Sequence, residues 1–353
     1  MLKNIKTFSL LMLVAISTSA CLQINTGSSN ELLPDGGLYI SSDEGMSWQQ
    51  KTEILETGGV ARNFSMAGAV QMFQDPNNAD TLYYGTYENG LLYSYDKGEG
   101  WTLAKNLGKG TVSGIAIDYD DVCVVYAGIG NKLYKTEDCN RTWKEIFTDN
   151  TSYSDITEVI TDHFNKNNIY LALSTGDLVK STDKGKSWKT LYRFGKRIHR
   201  LYLHPGDSRV MYANINNDGI YRTDDGGTSW EEITKEVKDM GVGTKLMGVE
   251  MFVNDLNLYF LATDSGILRS NDGAKTWEVL ELLPANKKAD IKSIAVNPQD
   301  VNKIFYVTSN TFYRTSDGGK NWSPKKIGST REAKILKIDN KNPEILYLAM
   351  WIE

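Results

Sequence analysis

One eight-residue phrase recurs seven times along this 353-residue chain and constrains its fold more than any other feature. It reads Ser/Thr-x-Asp-x-Gly-x-Ser/Thr-Trp, and the copies begin at Ser41, Ser94, Thr136, Ser181, Thr223, Ser270 and Thr315. Seven of the eight tryptophans stand at its last position: Trp48, Trp101, Trp143, Trp188, Trp230, Trp277 and Trp322. A period of about 45 residues with strand-like content predicts a β-propeller rather than a single mixed core.

The phrase itself predicts a tight turn between two strands. Its aspartates can accept backbone N–H bonds across the turn, and they are Asp43, Asp96, Asp138, Asp183, Asp225, Asp272 and Asp317. The glycine two residues later supplies a positive φ that a side chain would resist. Asn140 replaces this glycine in the third copy, and Asn tolerates the left-handed region. Ala274 replaces it in the sixth copy, where we expect the preceding Gly273 to absorb the strain.

Apolar strand signals around each phrase assign four strands, A to D, to each repeat. Strand C ends just before the phrase, as in Ile220-Tyr221, and strand D begins at the tryptophan. In strand B a tyrosine recurs in register, at Tyr83, Tyr126, Tyr170, Tyr212, Tyr259, Tyr306 and Tyr347. Alternating apolar residues bounded by Asn, Asp, Gly and Pro are typical of half-buried strands.

The two ends of the chain supply complementary halves of one repeat. The stretch from Leu38 to about Thr52 holds only strands C and D, and the stretch from about Lys334 to Trp351 holds only A and B. We therefore predict an all-β domain over residues 36–353, a single seven-bladed propeller of four-stranded antiparallel blades. Pairing of the N-terminal strands with the C-terminal ones would close the ring and remove its exposed edges.

The phrase resembles the Asp-box, or BNR, repeat of sialidases and related propellers, and the resemblance covers nearly the whole chain from Gly36 onward. The same box occurs in xyloglucanase-type glycoside hydrolases, sortilin-type receptors and photosystem II assembly factors. In those families it lies on the outer rim, so the resemblance implies that the seven aspartates and their tryptophans are structural. The sequence from Asn297-Pro298 through Tyr313 to Gly319 more closely resembles the repeats of sortilin-type and xyloglucanase-type propellers.

The first twenty residues read as a secretory signal. Lys3 and Lys6 precede an apolar run, and small residues lead to Cys21. This arrangement resembles a bacterial lipoprotein signal with Cys21 as the lipidated first mature residue, followed by a polar tether to residue 35. Thr18 stands where that pattern prefers an aliphatic residue, so ordinary cleavage remains an alternative. We expect an extracytoplasmic protein of the cell envelope that touches the membrane only through a lipid anchor.

Charge and cysteine usage narrow the partners further. The formal net charge is −5 and no basic tract interleaved with aromatics occurs, which argues against nucleic acid. Cys123 and Cys139 fall at the same end of two strands joined near Gly130. In an oxidising compartment a disulfide between them would contribute about 3 kcal/mol in the chain-entropy model. The alternative is two buried free thiols.

Charged residues near the starts of the A strands are the candidate ligand-binding face. They are Arg62, Asp155, Glu158, Arg197, Arg200, Lys245, Glu250, Lys292, Arg331 and Lys334, with Trp351 as an aromatic platform near the last B strand. The run Arg197-Ile198-His199-Arg200 is the densest positive cluster and could grip a carboxylate, a sulfate or an acidic protein surface. Each of these residues could instead be a solvated strand end. Long D–A connections at 51–65 and 235–245 are further candidates.

No catalytic constellation accompanies the repeats. His163, His199 and His204 lack metal-ligand spacing, and the sequence predicts neither a metal nor a cofactor. His204-Pro205 takes the place that Asn297-Pro298 holds in another repeat, which predicts a turn residue.

Three functions compete. The first is a non-catalytic propeller that binds or scaffolds an envelope protein or a glycan. The second is a glycoside hydrolase, whose two carboxyls, for example those of Asp155 and Glu250, would need to lie about 5–9.5 Å apart. The third is a purely structural envelope protein, which an exposed apolar patch would favour.

Overall fold

The computed structural model describes residues 35–55, 62–284 and 288–352. The predicted signal segment and Cys21 lie outside these residues, as does the tether except for its last residue, Asp35. Within them nearly all the regular secondary structure is antiparallel strand, and no helix is long and apolar enough to cross a membrane.

The described chain begins with half a blade and a small hairpin. The half blade contains β1 (Leu38–Ser41) and β2 (Gln49–Gln50), and the hairpin pairs β3 (Glu53–Ile54) with β4 (Arg62–Asn63).

Six complete blades, I to VI, follow in chain order. Blade I contains β5 (Ala69–Gln74), β6 (Leu82–Thr86), β7 (Leu91–Ser94) and β8 (Thr102–Leu103). A 3₁₀ turn (Lys105–Leu107) leads to blade II, with β9 (Val112–Ile117), β10 (Val125–Ile129), β11 (Lys132–Thr136) and β12 (Lys144–Thr148). Blade III contains β13 (Ile156–Thr161), β14 (Ile169–Leu173), β15 (Asp177–Ser181) and β16 (Lys189–Arg193).

The second half of the ring repeats this pattern. Blade IV contains β17 (Ile198–Leu203), β18 (Met211–Ile215), β19 (Gly219–Thr223) and β20 (Glu231–Glu232), followed by α1 (Thr234–Asp239). Blade V contains β21 (Leu246–Phe252), β22 (Asp255–Thr263), β23 (Ile267–Ser270) and β24 (Glu278–Val279). Blade VI contains β25 (Ser293–Val296), β26 (Ile304–Val307), β27 (Thr311–Thr315) and β28 (Ser323–Lys326), and the chain ends with β29 (Glu332–Ile338) and β30 (Leu346–Trp351).

Blade VII is built from both ends of the chain, as predicted. Its strand order is β2-β1-β30-β29, and β1 pairs with β30 in antiparallel register from Leu38↔Ala349 to Ser41↔Leu346. The prediction of seven four-stranded blades and of this closure is therefore confirmed.

Every Asp-box forms the same turn, and the aspartate side chain organises it. In blade III, Asp183 accepts hydrogen bonds from the Ser181 Oγ (2.8 Å), the Ser187 N–H (2.8 Å) and the Ser187 Oγ (2.6 Å). These bonds to the carboxylate lower the pKa of Asp183 to about 2, led by the Ser187 hydroxyl. Gly100 and Asn321 replace the second Ser/Thr in two copies.

Two consecutive residues of every box have positive φ. In blade V these are Gly273 (φ 77°) and Ala274 (φ 66°). The expectation that Gly273 absorbs the strain was therefore wrong, because Ala274 itself lies in the left-handed region. Asn140 takes this conformation at φ 70°, and the five glycines at this position take it without a Cβ.

Each box is also fastened to the A–B turn of its own blade. The amide of the residue after the aspartate donates to a carbonyl of that turn, as Lys97 does to Asp80 (2.9 Å) and Lys184 to Asn167 (2.9 Å). In blade II this position is Cys139, whose amide donates to the Cys123 carbonyl (3.3 Å) and whose sulfur forms a disulfide with Cys123. The disulfide is thus a covalent form of a contact that the other blades make by hydrogen bonding.

The box tryptophans are less uniformly buried than their repetition suggests. Only Trp101, among those of the described residues, is fully buried, whereas Trp48 and Trp188 remain partly exposed. The difference arises because the β3–β4 hairpin and the residue that follows it pack against Trp101. The Trp101 backbone N–H donates to the Glu53 carbonyl (3.0 Å), and the Phe64 ring lies edge-on to the indole with centroids 5.4 Å apart. The described part of the 51–65 connection therefore has a packing role at the rim.

Candidate functional site

The A strands of all seven blades surround a central channel with a cavity of about 850 Å³. A β-bulge near the start of the A strand occurs at the same place in blades I to V and in blade VII. Bulges re-aim side chains. The bulged residues, which line the channel mouth at its D–A end, are Val70, Ser113, Thr157, His199, Met247 and Lys334.

Most of the residues predicted for the ligand-binding face do line this cavity. They are Glu158, Arg197, Arg200, Lys245, Glu250, Lys292, Lys334 and Trp351. The remaining three lie elsewhere. Arg62 belongs to the β3–β4 hairpin at the rim, Asp155 is exposed at the end of a D–A connection, and Arg331 forms an ion pair with Asp35 (3.6 Å).

Arg200 crosses the channel rather than facing an incoming ligand. Its Nη1 lies 3.2 Å from Glu158 Oε2 in blade III, and its Nη2 donates to the Val70 carbonyl of blade I (3.0 Å). Gln71 Nε2 donates to the other oxygen of Glu158. These three side chains, the cross-channel brace, join blades I, III and IV. Burial raises the pKa of Glu158, and the facing guanidinium and the Gln71 amide oppose that shift.

The mouth beyond the brace is cationic. Burial and the neighbouring charges of Arg200, Lys245 and Lys292 lower the pKa of Lys334. Burial together with Arg197, Lys245 and Arg200 lowers the pKa of His199, while its bond to Asn216 opposes that shift. Clustered like charges of this kind favour a bound anion.

Among the described residues that line the cavity there are six cationic side chains and three carboxylates. The cations are Arg197, Arg200, Lys245, Lys292, Lys334 and Lys337, and the carboxylates belong to Glu158, Glu250 and Glu332. The cavity is therefore positive within a chain whose formal net charge is −5.

Deeper in the channel lies a second ionisable group. Glu250 is half-buried, and burial raises its pKa to about 7, opposed by the charge of Lys337. Burial also raises the pKa of Tyr202, whose charged form both Glu158 and Glu250 further disfavour.

The carboxyl groups that line the channel are not the pair, Asp155 and Glu250, that was suggested from the sequence. Asp155 does not line the cavity, so it does not accompany Glu250 there. Glu158 lines it but is engaged by Arg200 and Gln71. No group of three or more His, Cys, Asp or Glu side chains suited to a metal ion occurs in residues 35–55, 62–284 and 288–352. His204 lies in an A–B turn, where its Nδ1 accepts the Gly206 N–H (2.9 Å).

Sequence reasoning missed Gln71, Tyr87, Tyr202 and Lys337, all of which line the cavity. For Gln71, Tyr202 and Lys337 the signal is register rather than residue type. Aligning the A strands by their bulge places Gln71 level with Glu158 and Arg200, and places Lys337 level with Tyr202 and Glu250.

The fold and the channel together define a seven-bladed β-propeller with Asp-box turns at its rim and a positive central cavity. Comparisons with known proteins agree with this class. A model of the Sortilin-Vps10 family, described as sortilin, neurotensin receptor 3, matches residues 131–255. A xyloglucanase of Paenibacillus sp. is 26% identical over 216 residues, which cover 48% of this chain and 21% of that relative. The chain thus spans about a fifth of the length of that relative.

Solved structures are similar in fold at low identity. The GH74 xyloglucanase of Xanthomonas campestris has a TM-score of 0.65 at 14% identity, covering 81% of this chain and 51% of its own. YCF48 of Cyanidioschyzon merolae has a TM-score of 0.63 at 12% identity, covering 81% of this chain and 96% of its own. A structure of YCF48 bound to D1 peptide has a TM-score of 0.61 at 14% identity, covering 82% and 94%. At these identities the likeness concerns the fold.

Proposed function

We propose that this protein is a non-catalytic binding propeller of the cell envelope, anchored through Cys21, whose channel mouth captures an acidic segment of a partner protein. The convergence of cations at that mouth carries the proposal. Arg197, Lys245 and Lys334 come from three different blades, yet each lines the same cavity. Such a concentration of positive charge costs folding free energy unless something negative binds there.

The extent of the structural likeness supports a partner protein. The alignment with YCF48 includes 96% of the YCF48 chain and 81% of this chain. A second YCF48 structure holds a bound peptide. A propeller that binds a peptide is therefore one model for this chain.

A glycan ligand is the second candidate, and the xyloglucanase relatives together with one local feature favour it. Trp351 and Tyr87 both line the mouth, and their rings contact each other edge-on with centroids 5.8 Å apart. Glu250, whose pKa burial raises to about 7, would be the candidate general acid.

The proposal is tested with the whole protein and an Arg197→Ala/Lys245→Ala variant. The probes are fluorescently labelled poly-L-glutamate and xyloglucan. We expect the wild type to bind the polyglutamate and the variant to bind it at least tenfold more weakly, a loss of about 1.4 kcal/mol. The matched control, Lys275→Ala/Lys320→Ala, removes the same charge from two exposed box positions and should bind as the wild type does.

Two other outcomes would count against the proposal. Binding of xyloglucan with no affinity for polyglutamate would favour the glycan candidate. An equal loss of polyglutamate affinity in the control would show that the effect depends only on net charge.

The lipid anchor is tested in the same preparation. We expect the native chain to sediment with membranes and a Cys21→Ser chain to remain in the supernatant.

A further inference from the structure

The channel mouth has two unlike halves. Blades IV to VII contribute its cations, whereas the bulged residues of blades I to III are uncharged: Val70, Ser113 and Thr157. The cations that line the mouth thus all come from one side of the ring, blades IV to VII. A ligand that filled the whole mouth would meet positive charge over one half and a neutral surface over the other.

Aromatic side chains lie on the uncharged half of the channel mouth. Tyr87, in the B–C loop of blade I, is an exposed large side chain that also lines the cavity. It contacts Trp351, and the Lys334 Nζ lies 5.1 Å from the centroid of the Trp351 ring. Trp351 therefore stands at the boundary, with a cation on one side and an exposed tyrosine on the other.

A second tyrosine projects from the same face. Tyr153 lies in the D–A connection between blades II and III, and its side chain is fully exposed. Its φ is 61°, in the left-handed region that is sterically unfavourable for a bulky residue. An exposed aromatic residue held in a strained conformation points to a contact made outside the chain.

Hydrogen bonds hold the loop around Tyr153 in a defined conformation. The Asp149 carboxylate accepts the Thr151 N–H (3.0 Å), and the Ser154 N–H donates to the Thr151 carbonyl (3.2 Å). On the blade III side, Ser174 Oγ accepts the Asp155 N–H (2.8 Å) and donates to the Tyr153 carbonyl (3.4 Å). These bonds fix the backbone on both sides of Tyr153 and so hold its ring outward.

We propose that the mouth recognises a protein segment in which acidic residues lie next to aromatic or large apolar ones. The acidic residues would face Arg197 and Lys245, and the apolar residues would contact Tyr87 and Tyr153. This inference rests on the proposed function and adds the chemistry of the ligand. Charge complementarity would orient the segment, with its acidic residues on the cationic side of the mouth. The tyrosines supply contact area at a low cost in side-chain entropy.

Two labelled polymers of equal length separate the halves of the site: poly-L-glutamate and a random copolymer of glutamate and tyrosine. We expect the wild type to bind the copolymer about tenfold more tightly than polyglutamate, because the added aromatic rings would contact Tyr87 and Tyr153. In a Tyr87→Ser/Tyr153→Ser variant the ratio of the two affinities should fall close to one. The control, Phe164→Ser/Leu256→Ser, removes two exposed apolar side chains at the A–B ends of blades III and V, on the opposite face, and should keep the wild-type ratio.

Each outcome decides between the proposals. A wild type that binds polyglutamate without preferring the copolymer would overturn this inference and leave the proposed function standing. A preference that survives in the tyrosine variant, or disappears in the control, would also overturn it. A wild type with no affinity for polyglutamate would remove the proposed function and this inference together.

Discussion

The rim and the channel of this propeller are built from the same seven repeats, yet they differ in how far the repeats agree. At the rim every box places an aspartate and two residues of positive φ in the same turn. In the channel the residues that follow the bulge are nearly all different: Gln71, Gly114, Glu158, Arg200, Gly248 and Ile335. Positions that repeat therefore serve the fold, and the site lies where the repeats diverge.

The largest expected effect comes from breaking the brace in the channel. Arg200→Met leaves the Glu158 carboxyl buried without its cation, so the free energy of unfolding should fall by about 3 kcal/mol in urea denaturation. This is the low end for a buried pair, because the Arg200 side chain is still 30% exposed.

The double variant Glu158→Gln/Arg200→Met is the control for this effect, since it removes both charges. It should recover most of the lost stability. A single variant as stable as the wild type would mean that the pairing of Glu158 with Arg200 does not stabilise the channel.

A smaller effect tests the uniformity of the rim. Ala274→Gly should raise the free energy of unfolding by about 1 kcal/mol, because glycine adopts φ 66° without a steric penalty. Gly319→Ala should lower it by a similar amount. A Cβ at Gly319 would lie 3.5 Å from Leu280, an ordinary contact, so its cost is conformational. If the two substitutions do not change the free energy of unfolding in opposite directions, the boxes are not equivalent.

The smallest effect is a pH dependence in the channel. Burial raises the pKa of Glu250 from 4.5 to about 7, so the folded state holds this proton more tightly than the unfolded chain does. Its contribution to stability is therefore present at low pH and is lost as the pH rises towards 7. Glu250→Gln should flatten this decline by about 1 kcal/mol or less, because the channel is open to solvent. Identical stability profiles between pH 5 and pH 8 would contradict the assignment.

The fold was predictable because its information is local and repeated. The box spacing gave the number of blades, and the half repeats at the two ends gave the closure that β1 and β30 make. The strain at Ala274 was misjudged, since the pattern marks where glycine is preferred but not that both neighbouring residues must be left-handed.

The channel was predictable only in part, for a physical reason. Charges at the starts of A strands were predicted to form a ligand-binding face, and most of them line the cavity. Residue type alone did not show that Arg200 reaches across to blade I, because that contact joins positions 130 residues apart. Tyr87 was missed because a tyrosine in a B–C loop has no periodic signal that marks it as facing the channel.

The composite blade has a consequence for the newly made protein. At synthesis rates of about 5–20 residues per second, the roughly 300 residues between β1 and β30 take about 15–60 s to follow one another from the ribosome. During that interval β1 has no partner on the side that β30 later occupies, while six blades can already fold. An unpaired strand edge is a template for another chain. The interval before β30 emerges is therefore when a nascent molecule is most exposed to strand pairing with its neighbours.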